Sequence, residues 1–335
     1  MSLRIEHLAP GDPRLADFAA LRERAGYAAA PDDELRAGTE CLVAYADGAP
    51  VARLALEVAP ELHGVPGPTG LVGWYEATDA EAGVALLCRA REVLAERGVA
   101  RVLGPMNGST WKRYRLALPP APGEAVPHPF LTEPVNPPEY PEHFEGAGFT
   151  VAAEYESRIA FRPEDGAEVP ADDSLDRYGI AVHPIDPGRF DEELREVFDL
   201  SLAAFAGNLF YTPIGFDEFS SAYRKIRPLL DPELVRLARS ADGRLLGFVF
   251  AFPDPLDPAG GGHRRVVLKT LATSPEARGM GLGGHLTREV HRIAFARGAP
   301  AVIHALMQVA NASTRISGRH RGELFRRYAL YGWMP

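Results

Sequence analysis

The chain reads as one pattern written twice, and a duplication limits its fold more than any single segment does. Asp47-Gly48 sits between the apolar runs 41–45 and 51–58 as a hairpin turn, and Asp242-Gly243 sits likewise between 234–239 and 245–252. Arg91-Glu92-Val93 followed by Arg97-Gly98 has its counterpart in Arg288-Glu289-Val290 followed by Arg297-Gly298. Asn107-Gly108-Ser109-Thr110 has its counterpart in Asn311-Ala312-Ser313-Thr314. The offset stays close to about two hundred residues, and the order of strand, hairpin, strand, helix, strand and turn is kept.

A length of 335 residues suits two domains of ordinary size. Residues 162–176 are rich in Pro, Asp, Glu and Ala, lack periodicity and read as the linker. The expected division is therefore residues 1–161, a linker at 162–176, and residues 177–335. Helical spacing marks 12–27, 79–97, 190–205, 216–226 and 283–297, and strands are expected at 4–8, 71–75, 100–103, 151–161, 180–183, 266–273, 301–307 and 323–333. The fold class is α/β, with a mixed α+β sheet in each half.

Composition removes several classes of function. No run reaches the ~18 apolar residues of a membrane helix, and residues 1–7 lack the apolar core of a secretory signal, so a cytoplasmic protein is expected with no membrane partner. A net charge of -9 argues against nucleic acid as a partner. Cys41 and Cys88 lie in apolar segments and read as reduced core thiols. No metal is expected, since His285, Glu289 and His291 do not have metalloprotease spacing. The oligomeric state is left open.

The segment that carries chemistry joins the apolar run 266–273 to a long helix through Ser274-Pro275-Glu276-Ala277-Arg278-Gly279-Met280-Gly281-Leu282-Gly283-Gly284. A helix N-terminus has N–H groups without intrahelical partners and partial positive charge, so anions settle there. Glycines let a ligand approach the backbone, and Arg278 adds a charged donor fork. The loop suits a diphosphate.

Gly279-x-Gly281-x-x-Gly284 satisfies the dinucleotide pattern, but that reading needs the first glycine directly after the strand and an acid at the end of the next one. Five residues intervene, and the next run ends in Gln308 with no acid beside it. The overlapping frame, Arg278-x-x-Gly281-x-Gly283 with Pro275 ahead of it, resembles the acyl-CoA signature of the GCN5-related N-acetyltransferases (GNAT). The resemblance implies two tandem GNAT-like acyl-CoA N-acyltransferase domains. It also implies that Arg278, Gly279, Met280, Gly281, Leu282, Gly283 and Gly284 hold a pyrophosphate, that the backbone of Leu271, Ala272 and Thr273 serves the pantetheine arm and acyl carbonyl, and that Asn311 and Ser313 complete the cofactor-binding set. Acetyl-CoA, or another acyl-CoA, would be the co-substrate.

At the equivalent place the first half has Tyr75-Glu76-Ala77-Thr78-Asp79-Ala80-Glu81-Ala82-Gly83, with one glycine, no arginine and three acids. Such a loop repels a pyrophosphate, so the first domain is expected to be degenerate and to contribute packing, with substrate contacts through Asn107, Trp111 and Tyr114.

The catalytic side chains of the resembled family do not carry over. The strand 266–273 has no Glu or Asp to act as base, and counting on from Asn311 to the usual acid tyrosine reaches Ser317 and Gly318. Glu218 and Tyr328 are the candidate catalytic residues, with Tyr211 and Glu323 behind them. The expected function is acyl-CoA-dependent N-acylation of a small-molecule amine. The alternative is a non-catalytic acyl-CoA-binding or regulatory protein, with a dinucleotide oxidoreductase third.

Overall fold

The structure, a computed structural model, describes residues 2–21, 35, 38–59, 61–164, 167–259 and 263–335. The first half runs β1 (Leu3–Leu8), α1 (Leu15–Ala20), β2 (Glu40–Ala46), β3 (Ala49–Ala59), β4 (Thr69–Ala77), α2 (Ala80–Glu96), β5 (Arg101–Gly104), β6 (Leu116–Ala117), α3 (Tyr140–Gly146) and β7 (Thr150–Phe161). The second runs β8 (Ala181–Pro184), α4 (Phe190–Phe205), α5 (Phe216–Ile226), β9 (Val235–Arg239), β10 (Leu245–Pro253), β11 (Val266–Thr273), α6 (Leu282–Ala296), β12 (Ala301–Gln308), α7 (Ala312–Arg319) and β13 (Glu323–Trp333).

Local chemistry explains most of these boundaries. Asp47 and Gly48 both have positive φ, as the tight turn between β2 and β3 requires. The Asp79 carboxylate accepts from the Ala82 N–H at 2.8 Å and starts α2, and Gly98 in the left-handed region ends it. The helix expected over 12–27 is shorter: Leu21 is already extended, and residues 22–27 lie outside the described residues.

The strands form one sheet in the order β1-β2-β3-β4-β5-β13-β7-β12-β11-β10-β9-β8, with β6 paired to β13. Each half contributes four antiparallel strands and a parallel pair, β4 with β5 and β11 with β12. The closing strands are exchanged. β7, which chain order would make the last strand of the first half, pairs with β12, while β13 pairs with β5 through Tyr331↔Gly104 to Trp333↔Val102. The two exchanged strands pair with each other from Glu323↔Ile159 to Gly332↔Thr150. Pairing on both sides of β7 and β13 leaves no exposed edge at the join.

Three of the apolar layers on this sheet lie under α2, α6 and α4. Leu86, Leu87, Ala90 and Leu94 of α2 pack on β2 to β4. Leu282, Leu286 and Val290 of α6 pack on β10 and β11, and Leu194, Val197 and Phe198 of α4 cover the opposite face of the second half. The described part of the linker is docked, since Val169 and Leu175 join the α6 layer and Asp172 lies 3.5 Å from His285 and 3.6 Å from Arg288.

Candidate functional site

The site begins where a parallel pair comes apart. β11 and β12 pair only at Val266↔Val302, Val267↔Ile303 and Leu268↔His304. On β10 the neighbours Phe250 and Ala251 face Thr270 and Leu268, so Lys269 is the extra residue of a bulge. Leu268 and Leu271 both belong with the α6 layer, and the bulge brings Lys269 and Thr270 to the wall of the cavity opened by the splay. β12 bends away at its own irregularity, where Leu306 has φ 56° and its N–H donates to Ser157 Oγ at 2.9 Å.

The loop after β11 is built for close approach to backbone. Ser274 caps a short 3-10 turn through Ala277 N–H, and Gly279 and Gly281 both have positive φ. Among the described backbone hydrogen bonds, none uses the N–H groups of Gly281, Leu282, Gly283 or Gly284; the ladder of α6 begins with His285 N–H donating to Gly281 O at 3.0 Å. Gly283 is needed for packing, because a Cβ there would lie 3.1 Å from Ile316 of α7. At Gly279, Gly281 and Gly284 a Cβ would meet nothing within 4 Å, so these face open space. Arg278 is exposed beside them. The sequence leads one to expect an anion cradle here, and this donor set would fit a pyrophosphate.

The cavity beside it has a volume of about 760 Å³ and takes walls from both halves. Thr270 and Leu271 of β11, Thr287 of α6, and Asn311, Ser313 and Ile316 of α7 form the end toward the cradle. The rest is aromatic: Trp111, Tyr114 and Tyr155 from the first half, Tyr211, Phe219 and Tyr223 from the second. Trp111 donates from its indole N–H to Thr212 O at 2.9 Å and meets Phe205, Tyr211 and Phe219 ring to ring.

Charge in this cavity is mostly positive. Glu218, the carboxylate among the described lining residues, lies 3.6 Å from Lys112. Burial, helped by the Arg115 charge, pushes the Lys269 ammonium down to about 7. Burial also raises the Tyr211 and Tyr223 phenols, the latter to about 12, where it faces Thr270. His304 bonds to His291 at 2.8 Å and to Ser317 Oγ at 2.6 Å, and burial with the nearby His320 and Arg158 charges pushes it down to about 3, so it stands neutral on the cavity wall.

The sequence candidates are thus divided by the fold. Glu218, Leu271, Asn311 and Ser313 line the cavity, as do Tyr211, Trp111 and Tyr114. Ala272 is buried in the layer under α4, and Thr273 ends β11 next to the loop. Arg278, Gly279, Met280, Gly281, Leu282, Gly283 and Gly284 form the cradle but not the cavity wall. Tyr328, a candidate acid, lies off the cavity wall: it is fully buried in β13 opposite Tyr155 and Ala117, and its hydroxyl donates to Glu133 at 2.5 Å and lies 3.1 Å from Ser157. Glu323, at the start of the same strand, is exposed and off the cavity. His285, Glu289 and His291 go to separate partners, Asp172, Arg292 and His304, and among the described residues no group of three potential ligands could hold a metal. Arg115 was missed, although the run Trp111-Lys112-Arg113-Tyr114-Arg115 is conspicuously cationic in an acidic chain.

The first half shows the same splay closed up. β4 and β5 also pair over three rungs, Thr69↔Arg101 to Leu71↔Leu103. Beyond them Met106 N–H donates to Val72 O at 2.8 Å and Trp74 N–H to Asn107 Oδ1 at 2.8 Å, so the chain stitches its own gap. A Cβ on Gly73 would lie 2.6 Å from Met106 O. At the start of α2 the Asp79 carboxylate accepts an N–H, and Tyr75 and His143 crowd Gly83, with Tyr75 OH 2.7 Å from His143 Nδ1. The Asn-x-Ser-Thr match is therefore local: Asn311 opens α7, whereas Asn107 plugs the splay and the helix of the first half comes only at Tyr140.

One sheet carrying two such parallel pairs, β4–β5 and β11–β12, each joined by a helix, has the layout of two acyl-CoA N-acyltransferase folds in tandem. Residues 196–315 match the sequence profile of the Acetyltransferase (GNAT) family. Solved structures agree on the fold. A GCN5-related N-acetyltransferase from Sphaerobacter thermophilus is similar at 17% identity and a TM-score of 0.54, over 98% of this chain and 95% of its own. A tandem GNAT protein from the clavulanic acid biosynthesis pathway is similar at 16% identity and 0.53, over 99% and 98%. A GCN5-related N-acetyltransferase from Anabaena variabilis is similar at 12% identity and 0.58, over 99% and 73%. No curated protein matches the chain in sequence. Among the described residues no helix is long and apolar enough to cross a membrane.

Proposed function

We propose that the second half transfers an acyl group, acetyl in the first instance, from acyl-CoA to the amine of a small molecule held in the cavity. The observation that supports this most is the meeting of three features: an anion cradle with unused N–H groups, a strand edge left unpaired beyond Leu268, and a cavity opening from that edge. The thioester supplies the activated carbonyl. The free edge of β11 after Leu268 presents backbone N–H groups to the charge that develops on it. Glu218 is the carboxylate available to take the amine's proton, and the Tyr211 hydroxyl, buried without a hydrogen-bond partner, is the donor available to the departing thiolate. Enclosure in the cavity orients the amine.

Calorimetric titration with acetyl-CoA, CoA and NADH, followed by thiol release over a panel of amines, tests the reading. One CoA per chain, no response to NADH and amine-dependent thiol release are expected; absence of CoA binding overturns it. The lack of any Glu or Asp on β11 favours a second reading, acyl-CoA binding without turnover, which predicts CoA binding with no thiol release across the panel.

A further inference from the structure

Arg115 and Lys269 are two cations lining one cavity, and among the described residues neither has a carboxylate partner. Arg115 is 8% exposed and lies over the rings of Tyr114 and Tyr155, and its side chain has one described hydrogen bond, from Nη1 to Leu306 O at 3.3 Å. Its Nε has no partner, and no carboxylate pairs with it among the described residues. The Lys269 ammonium likewise makes no described hydrogen bond or ion pair, and Arg115 is the charge it feels. Glu218 does not compensate them, being engaged with Lys112. Two further buried polar atoms on cavity-lining residues, Thr132 Oγ1 and Tyr211 OH, also lack partners.

A packed protein does not leave like charges adjacent and unpaired without cost, because burial removes the water that would screen them. A ligand that supplies a negative charge offsets that cost on binding. An arginine fork with an ammonium beside it offers donors to the two oxygens of a carboxylate. The aromatic wall formed by Trp111, Tyr114, Tyr211, Phe219 and Tyr223 takes an apolar body, and Glu218 on the same wall suits an amine.

We propose that Arg115 and Lys269 form a carboxylate subsite, and that the acceptor is an amine that also carries a carboxylate and an apolar or aromatic body. Arg115 comes from the first half and Lys269 from the second, so the subsite exists only because the degenerate half lends its 110–115 segment to the active one. The inference rests on the acyl-transfer reading only for the role of the bound molecule; the carboxylate preference is measured without acyl-CoA.

The test titrates the full chain with a series of carboxylic acids and their carboxamides, matched in pairs and graded from acetate to indole-3-propanoate. At least one acid is expected to bind ten-fold or more tightly than its amide, with the preference lost in Arg115→Gln and in Lys269→Gln while CoA binding, the check on folding, is kept. No acid outbinding its amide, or an unchanged preference in both variants, overturns the subsite. Absence of CoA binding by the natural chain sinks the acyl-transfer reading alone, and thermal melting of the variants then serves as the check on folding for the acid series. The carboxylate could instead come from the acyl donor, so thiol release is compared for acetyl-CoA with amino acids and for succinyl-CoA with the corresponding decarboxylated amines. Faster release with acetyl-CoA and amino acids supports the proposal; an Arg115-dependent preference for succinyl-CoA overturns the assignment to the acceptor.

Discussion

Leu268 pairs with His304, and this is the last rung joining β11 to β12. Leu71 and Leu103 hold the same place between β4 and β5, yet only the gap beyond Leu268 stays open. The difference lies in the residues past the last rung: Met106 and Asn107 bond back into the first gap, while β12 turns away at Leu306 and leaves the second. One open gap among the described residues is the consequence.

Arg278 is exposed and stands beside four unused N–H groups, so its charge acts on the ligand and not on folding. Arg278→Glu is expected to weaken CoA binding ten-fold or more with the melting temperature unchanged within about two degrees, since surface substitutions usually cost under ~0.5 kcal/mol. Calorimetry and thermal melting check the two halves of the statement. Unchanged affinity means the cradle is not the pyrophosphate site.

Asp79 caps α2 and Glu81 lies in its first turn, so the first cradle is occupied by its own carboxylate. Asp79→Ala is expected to lower stability by ~1 kcal/mol, the usual value of such a cap, and to leave the calorimetric stoichiometry at one CoA per chain. A second equivalent bound by the variant would show that the cap alone had closed the site and that the Tyr75–Tyr140–His143 packing had not.

Tyr328→Phe separates a structural tyrosine from a catalytic one. The hydroxyl's partner Glu133 is fully buried and keeps Arg326 at 2.6 Å and the Phe130 N–H at 3.1 Å. Losing one donor there is expected to cost ~1–3 kcal/mol, read as a lower urea midpoint, with thiol release unaffected. A loss of turnover of a hundred-fold at unchanged stability would return Tyr328 to the catalytic list.

Most elements were legible because each carries its own local signal. α4, α5 and β11 fall at the expected residues, since helical spacing, a hairpin turn and an apolar run mark them without help from the rest of the chain. The cradle was legible for the same reason: Arg278 and its glycines are contiguous. The exchange of β7 and β13 was not legible, because an apolar strand such as 323–333 reads alike whichever neighbour it pairs with. Nor was the pairing of Arg115 with Lys269, since the two are far apart in sequence and line one cavity only in the folded chain. Tyr328 was misplaced by the same blindness: nothing around 323–333 says that the strand lies in the middle of the sheet.

Burial in the cavity brings the Lys269 ammonium close to neutral pH. Tyr223 is pushed up to about 12 and His304 down to about 3. In the unfolded chain a lysine titrates near 10.4, whereas in the fold burial and Arg115 bring Lys269 to about 7. Between those values the unfolded state holds a proton that the native state has released, so stability rises with pH across this window. Below about 7 both states are protonated and the whole penalty of the buried charge remains. Lys269→Met is therefore expected to be more stable than the natural chain at pH 6.5, with an advantage that shrinks as pH approaches 10. At roughly 1.4 kcal/mol for each unit of displacement, the difference at pH 6.5 is on the order of a few kcal/mol, reduced by whatever water the cavity admits to the ammonium. Urea unfolding of both proteins at pH 6.5, 8 and 9.5 reads it directly. A difference that does not vary with pH means the Lys269 ammonium is solvated in the native state, and the case for an uncompensated charge in the cavity falls with it.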